Sequence, residues 1–239
     1  MLVHGFTQTS GCWSPIDDDL ATDHEVVRVD APGHGGSADV RADLWEAGRA
    51  IAGAGGAATY VGYSMGGRMC LHAALTRPDV VRRLVIISAT AGIDSDDERA
   101  RRRDADAQLG DHLVEVGVEQ FVDEWLAQPL FATLPPERAH RAERLTNTAE
   151  GLASSLRLTG TGTQEPLWGH LASLDMPVLA VAGALDGKFR ALGERLVASI
   201  GAGGELVVIP DAGHTVHLEQ PEAFLVVLRD WLTRTSRQV

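Results

Sequence analysis

Ser64, Asp186 and His214 are three residue types that together perform proton transfer and nucleophilic catalysis. Ser64 lies in Gly62-Tyr63-Ser64-Met65-Gly66, and Gly-x-Ser-x-Gly fits a nucleophile elbow, a strained turn whose glycines leave room for the bend. A serine hydroxyl is a poor nucleophile or base at neutral pH. It needs a neutral imidazole to accept its proton and a carboxylate to hold the ring tautomer and balance the imidazolium. His214, in Ala212-Gly213-His214, is the candidate imidazole; His217 competes with it but lies where the chain heads into its closing helix. Asp186, after Gly183-Ala184-Leu185, is the candidate carboxylate, with Asp211 as a rival that reads as a loop residue.

The elements around these residues decide whether they can meet. An alternating run, Ala57 to Val61, precedes the elbow and an amphipathic run, Arg68 to Leu75, follows it, the strand-turn-helix setting that the motif requires. Further strands are expected at Met1–Val3, Val26–Val29, Arg83–Ser88, Pro177–Ala182 and Leu206–Ile209, and helices at Trp13–Ala21, Asp43–Ala54 and Pro221–Thr235. Strands alternating with helices imply an α/β fold with a mostly parallel sheet flanked by helices. Ser64, Asp186 and His214 each directly follow a strand, so they gather on one edge of that sheet. From Asp94 to about Trp168 the sequence is charged and helix-forming with no strand signal: Asp94–Leu109, Val114–Ala127, Pro136–Ala149 and Leu152–Leu158. The organisation expected is one domain, residues 1–239, with a helical cap inserted at about 94–168 over the carboxyl ends of the strands; a solvated appendage is the alternative. The glycine-rich loop Asp30–Ser37 lacks both P-loop and dinucleotide-site spacing, which leaves His34 as a loop residue.

Composition narrows the function. A formal charge of −12 disfavours nucleic acid and anionic membrane surfaces, and no apolar run is long enough to span a bilayer. Cys12 and Cys70 are far apart with no metal-ligand spacing, so reduced thiols in a cytoplasmic protein and no metal or other cofactor are expected. Nothing in the sequence assigns an oligomeric state.

The order Ser, Asp, His is that of α/β hydrolases. In that fold an early strand ends in a His-Gly loop like His4-Gly5-Phe6-Thr7, so the Phe6 and Met65 N–H groups are the candidate oxyanion donors. Ser64-Met65-Gly66-Gly67-Arg68, Gly160-Thr161-Gly162-Thr163-Gln164 and Leu185-Asp186-Gly187-Lys188-Phe189, with the closing His214 to Pro221 segment, resemble the 2-succinyl-6-hydroxy-2,4-cyclohexadiene-1-carboxylate synthases of menaquinone biosynthesis over nearly the whole chain. The resemblance implies a lyase on a hydrolase fold, which eliminates pyruvate from a succinylated enolpyruvyl-hydroxycyclohexene carboxylate. Ser64, relayed by His214, is then a base, and Phe6 and Met65 stabilise the enolate. It also places Tyr63, Arg102, Trp125 and Arg144 at substrate-contact positions. Arg68, four residues after Ser64 on one helix face, is expected to point to the pocket mouth and bind a carboxylate of a small anionic substrate. A solvated face competes with that role for Arg102, which sits inside an arginine run. A carboxylester or C–C bond hydrolase using the same serine as nucleophile is the second reading, and a receptor that binds without turnover is the third.

Two departures from the family are visible. Ala89-Thr90-Ala91-Gly92-Ile93 lacks the proline often found before the glycine, so cap entry is expected to differ. Met1-Leu2-Val3 is also shorter than a typical interior strand of about five or six residues. It predicts N-terminal strands missing from this chain, an upstream start by roughly fifteen to twenty residues, and unpaired backbone groups with exposed apolar side chains at this end.

Overall fold

The computed structural model describes residues 1–236. Among them, six strands form one parallel sheet in the order β2-β1-β3-β4-β5-β6: β1 (Leu2–Val3), β2 (Arg28–Val29), β3 (Ala58–Tyr63), β4 (Val81–Ile87), β5 (Val178–Gly183) and β6 (Gly204–Ile209). The helices are α1 (Ile16–Leu20), α2 (Leu44–Gly55), α3 (Met65–Thr76), α4 (Asp96–Leu126), α5 (Arg141–Arg144), α6 (Ala149–Thr159), α7 (Gly187–Ile200), α8 (Val216–Glu219) and α9 (Pro221–Thr235).

Parallel pairing requires crossovers that cover both sheet faces, which is why the central strands read as unbroken apolar runs. In β4, Leu84 and Ile86 face a core shared with Ile51 of α2, Met69 of α3 and Leu196 of α7. Val85 and Ile87 face the opposite core, with Ile16 and Leu20 of α1 and Phe224, Leu228 and Trp231 of α9. Helix α2 starts where Asp43 accepts from the Glu46 N–H and Glu46 reaches back to the Asp43 N–H, a capping box.

Between β4 and β5 the chain is helical with its own small core of Leu113, Phe121, Leu152, Ala153 and Leu156. Its segmentation differs from expectation in two places. The stretches expected as separate helices at Asp94–Leu109 and Val114–Ala127 are the two arms of α4, but the break between them lies at Gly117 (φ 79, ψ 168), a conformation that essentially only glycine adopts, and not between Leu109 and Val114. The helix expected over Pro136–Ala149 is instead a single 3₁₀ turn at Pro136–Arg138 and the short α5, because His140 takes the left-handed conformation at φ 50. Cap entry dispenses with proline: Thr90 Oγ1 accepts from the Gly92 N–H at 3.1 Å, and Trp168 Nε1–H donates to Gly92 O at 3.1 Å.

The expected bare strand tip is not found at Met1–Val3. β1 is only two residues long, yet it pairs with β2 on one side and β3 on the other. The Met1 amino group donates to Thr59 O at 2.9 Å, and Leu2 and Val3 are buried. Beside it β2 is cut to Arg28–Val29, shorter than the Val26–Val29 run predicts, and a cleft lined by Val26, Val27 and Leu228 lies next to Leu2.

Candidate active site

Ser64 sits between β3 and α3 with φ 50 and ψ −108, a backbone strain held in place by its surroundings. Its N–H donates to Ile87 O at 2.9 Å, tying the elbow to the neighbouring strand. Gly66 is required by close approach: a Cβ there would lie 2.2 Å from Val3 O. The elbow thus rests directly on the end of β1.

The three distant side chains meet at the carboxyl edge of the sheet. His214 Nε2 lies 3.3 Å from Ser64 Oγ, and His214 Nδ1 lies 3.0 Å from Asp186 Oδ2. The other oxygen of Asp186 accepts from the Phe189 N–H at the start of α7. Partial burial pushes the Asp186 carboxyl up, but the hydrogen bonds from His214 and Phe189 outweigh it and hold the group below its ordinary value. Neither rival enters this arrangement. Asp211 is an exposed turn residue at φ 53, and His217 is buried between Trp13 and Tyr63, where burial pushes its pKa down to about 3.

A cavity of about 450 Å³ opens over Ser64, and the ten side chains singled out from the sequence all line it except Asp186, which stands behind His214. Phe6 and Met65 flank Ser64 there, and Met65 is the first residue of α3, where helix N–H groups lack intrahelical acceptors. Trp125 packs edge-on against Phe6 at 5.1 Å between ring centres, and its buried indole N–H has no acceptor among the described residues. Arg68 is not at the mouth as expected. It is buried in the wall and donates to Thr159 O at 2.6 Å. Burial, with repulsion from Arg102, pushes its pKa down to about 10. Arg102 pairs with Asp106 at 2.8 Å and faces the cavity rather than only solvent. Arg144 donates to Ala139 O at 2.8 Å, to Thr7 Oγ1 and to Phe6 O, so it braces the backbone of the candidate oxyanion loop, and burial lowers its pKa. The Tyr63 hydroxyl is buried against Thr215 Oγ1 at 3.1 Å, beside the imidazole.

Several participants escape sequence inspection. His34 is more than a loop residue: fully buried, its Nε2 accepts from the Thr7 N–H at 3.3 Å, while Asn147 Nδ2 donates to Thr7 O at 2.8 Å. Lys188 and Asp106 line the cavity, as does Ser88, whose φ is 46 and whose buried hydroxyl lacks a partner among the described residues. The Leu-Asp-x-Lys-Phe motif signalled Lys188; no spacing rule signals the others. Among the described residues no cluster of three His, Cys, Asp or Glu side chains could hold a metal ion, and no helix is long and apolar enough to cross a membrane.

The alpha/beta hydrolase family profile matches residues 1–227. A Bacillus subtilis protein provisionally named 2-succinyl-6-hydroxy-2,4-cyclohexadiene-1-carboxylate synthase is 34% identical over 97% of this chain and 89% of its own. The Salmonella typhimurium synthase of that name is 32% identical over 92% of this chain and 88% of its own. Among solved structures, MenH from S. aureus superposes with a TM-score of 0.91 at 29% identity, covering 98% of this chain and 93% of that one.

Proposed function

We propose, from the premise that this chain belongs to the alpha/beta hydrolase family and stands among its 2-succinyl-6-hydroxy-2,4-cyclohexadiene-1-carboxylate synthases, that it is the lyase of menaquinone biosynthesis which eliminates pyruvate from 2-succinyl-5-enolpyruvyl-6-hydroxy-3-cyclohexene-1-carboxylate. The observation that carries this reading is the company of the serine: Arg68, Arg102, Arg144 and Lys188 line one cavity with Ser64 and His214 in a protein of net charge −12. Cations gathered against the overall field suit a substrate with several carboxylates.

In this reading Ser64 Oγ passes its proton to His214 Nε2 and takes the proton from the carbon beside the succinyl ketone. Asp186 fixes the tautomer of His214 and balances the imidazolium. The ketone oxygen gathers charge as the C–H bond breaks, and the Phe6 and Met65 N–H groups stabilise it. The electron pair then forms a double bond between C2 and C3 of the ring, the existing C3=C4 pair shifts to C4=C5, and the C5–O bond to the enolpyruvyl group breaks. Enolpyruvate takes up a proton and leaves as pyruvate. Arg68 and Arg102 hold carboxylates, and Tyr63 and Trp125 shape the wall. The buried free thiols of Cys12 and Cys70 fit a reducing cytoplasm, and the chemistry calls for no cofactor.

Ser64→Ala should abolish pyruvate release without loss of fold, since the elbow hydroxyl contributes little packing. Rapid-quench mass spectrometry of the wild type should find no covalent adduct on Ser64. Full activity in the folded variant contradicts the base role. An accumulating acyl-enzyme, together with turnover of short-chain esters, selects the serine hydrolase reading instead.

A further inference from the structure

Glu219 lies at the end of α8, is 4% exposed, and makes no ion pair among the described residues. Its carboxylate is fully engaged on backbone: Oε2 accepts from the Gly213 N–H at 2.6 Å and Oε1 from the Thr215 N–H at 2.8 Å. These two residues flank His214. One side chain thereby holds the peptide groups on both sides of the imidazole. The far end of α8 is held as well, because Arg138 donates to Glu219 O at 3.0 Å, and the Tyr63 hydroxyl meets Thr215 Oγ1.

We infer that Glu219 is a positioning residue for the base, a carboxylate clamp that fixes the backbone on either side of His214 so that its ring spans Asp186 and Ser64; this rests on the base role given to His214 above. The chemistry singles out a carboxylate. Two N–H donors approach from one side, and only a group with two acceptor oxygens satisfies both. Glutamine offers one oxygen and one NH₂, so one backbone N–H would face a donor and be displaced. A plain helix cap would need only the Thr215 N–H; the bond to the Gly213 N–H lies on the other side of the histidine and serves no helix.

The test compares Glu219→Gln, Glu219→Asp, His214→Ala and the Glu219→Gln/His214→Ala double variant in pyruvate release, with thermal unfolding of each. Misplacing the ring by about 1 Å lowers kcat about 10²-fold. Glu219→Gln should therefore lose about that factor in kcat with KM within about threefold of wild type, because no substrate group touches Glu219 in this scheme. Glu219→Asp keeps both oxygens on a shorter stem and should retain more kcat than Gln. The double variant should be no slower than His214→Ala alone, because residues acting as a unit are not additive. If Glu219→Gln does not fold, Glu219→Ala carries the comparison. Retained pyruvate release by His214→Ala overturns the base reading itself. Loss in His214→Ala with wild-type kcat in folded Glu219→Gln, a Glu219→Asp variant no faster than folded Glu219→Gln, or, where Gln does not fold, wild-type kcat in Glu219→Ala, overturns the clamp alone, as does a further loss in the double variant.

Discussion

Replacing Arg68 with alanine should weaken substrate binding without weakening the fold. Arg68 is 7% exposed and its guanidinium donates to Thr159 O, while Asp106, the carboxylate that acts on it, is paired with Arg102. Burial pushes its pKa from the ordinary 12.5 to about 10, with Arg102 adding to the fall and Asp106 offsetting part of it. At about 1.4 kcal/mol per unit, keeping this charge in the wall costs on the order of 3 kcal/mol. A substrate carboxylate set against it recovers that cost, and a hydrogen bond between charged groups is worth about 1.5–3 kcal/mol, or roughly 10- to 150-fold in affinity. Arg68→Ala should therefore raise KM for pyruvate release by that factor. Without ligand its unfolding midpoint should hold or rise, since the lost Thr159 bond, about 1 kcal/mol, is offset by removal of a desolvated cation. Arg68→Lys should fall between, keeping charge but not the planar fork. Steady-state kinetics and thermal unfolding of both variants decide it. A KM within twofold of wild type, or a midpoint drop of more than about 5 °C in Arg68→Ala, refutes the reasoning.

Acid should destabilise the protein earlier than carboxylate titration alone predicts. Burial pushes the pKa values of His4 and His72 down to about 4 and those of His34 and His217 down to about 3. The unfolded chain takes up these protons from about pH 6.5 while the folded chain does not, so stability is full above that pH and falls toward pH 4, by up to about 1.4 kcal/mol per unit for each histidine. Urea midpoints followed from pH 7.5 to 4.5 should drop steeply through this window, and a flat profile contradicts the assignment. Gly117→Ala forces a β-carbon into φ 79, ψ 168 and should cost about 1–3 kcal/mol, read as a lower unfolding midpoint; an unchanged midpoint would mean α4 can straighten at no cost.

The parts of the fold that were legible are those with local causes. The apolar runs at Leu84–Ile87 and Leu206–Ile209, the Asp43/Glu46 capping box and the proline opening α9 each state their structure within a few residues. Ser64, Asp186 and His214 could be brought to one sheet edge because each directly follows a strand, and strand ends of a parallel sheet share an edge. A break within the stretch that forms α4 was legible, but not its place at Gly117, because a glycine in a helical pattern can be tolerated or can break the helix, and packing decides between them. His140 likewise gives no sign that it turns left-handed. Arg68 was placed on the correct helix face but at the wrong depth, since helical spacing gives direction and not what the cap lays over it. The roles of His34, Asn147 and Arg144 in bracing the Phe6–Thr7 backbone depend on contacts across 27 to 140 residues, which no local pattern encodes.

That bracing bears on how such enzymes can be recombined. Arg144 and Asn147 belong to the segment between β4 and β5, but their hydrogen bonds end on Phe6 and Thr7, and Asn147 Oδ1 also accepts from the Gly35 N–H. The helical segment is therefore not an interchangeable module that only selects substrate. A chimera that grafts another relative's helices onto this sheet replaces the props of the loop that carries the Phe6 N–H. Exchange that preserves turnover must transplant residues 4–7 and 30–37 together with the helices, so the unit of inheritance for this site is three segments far apart in the chain.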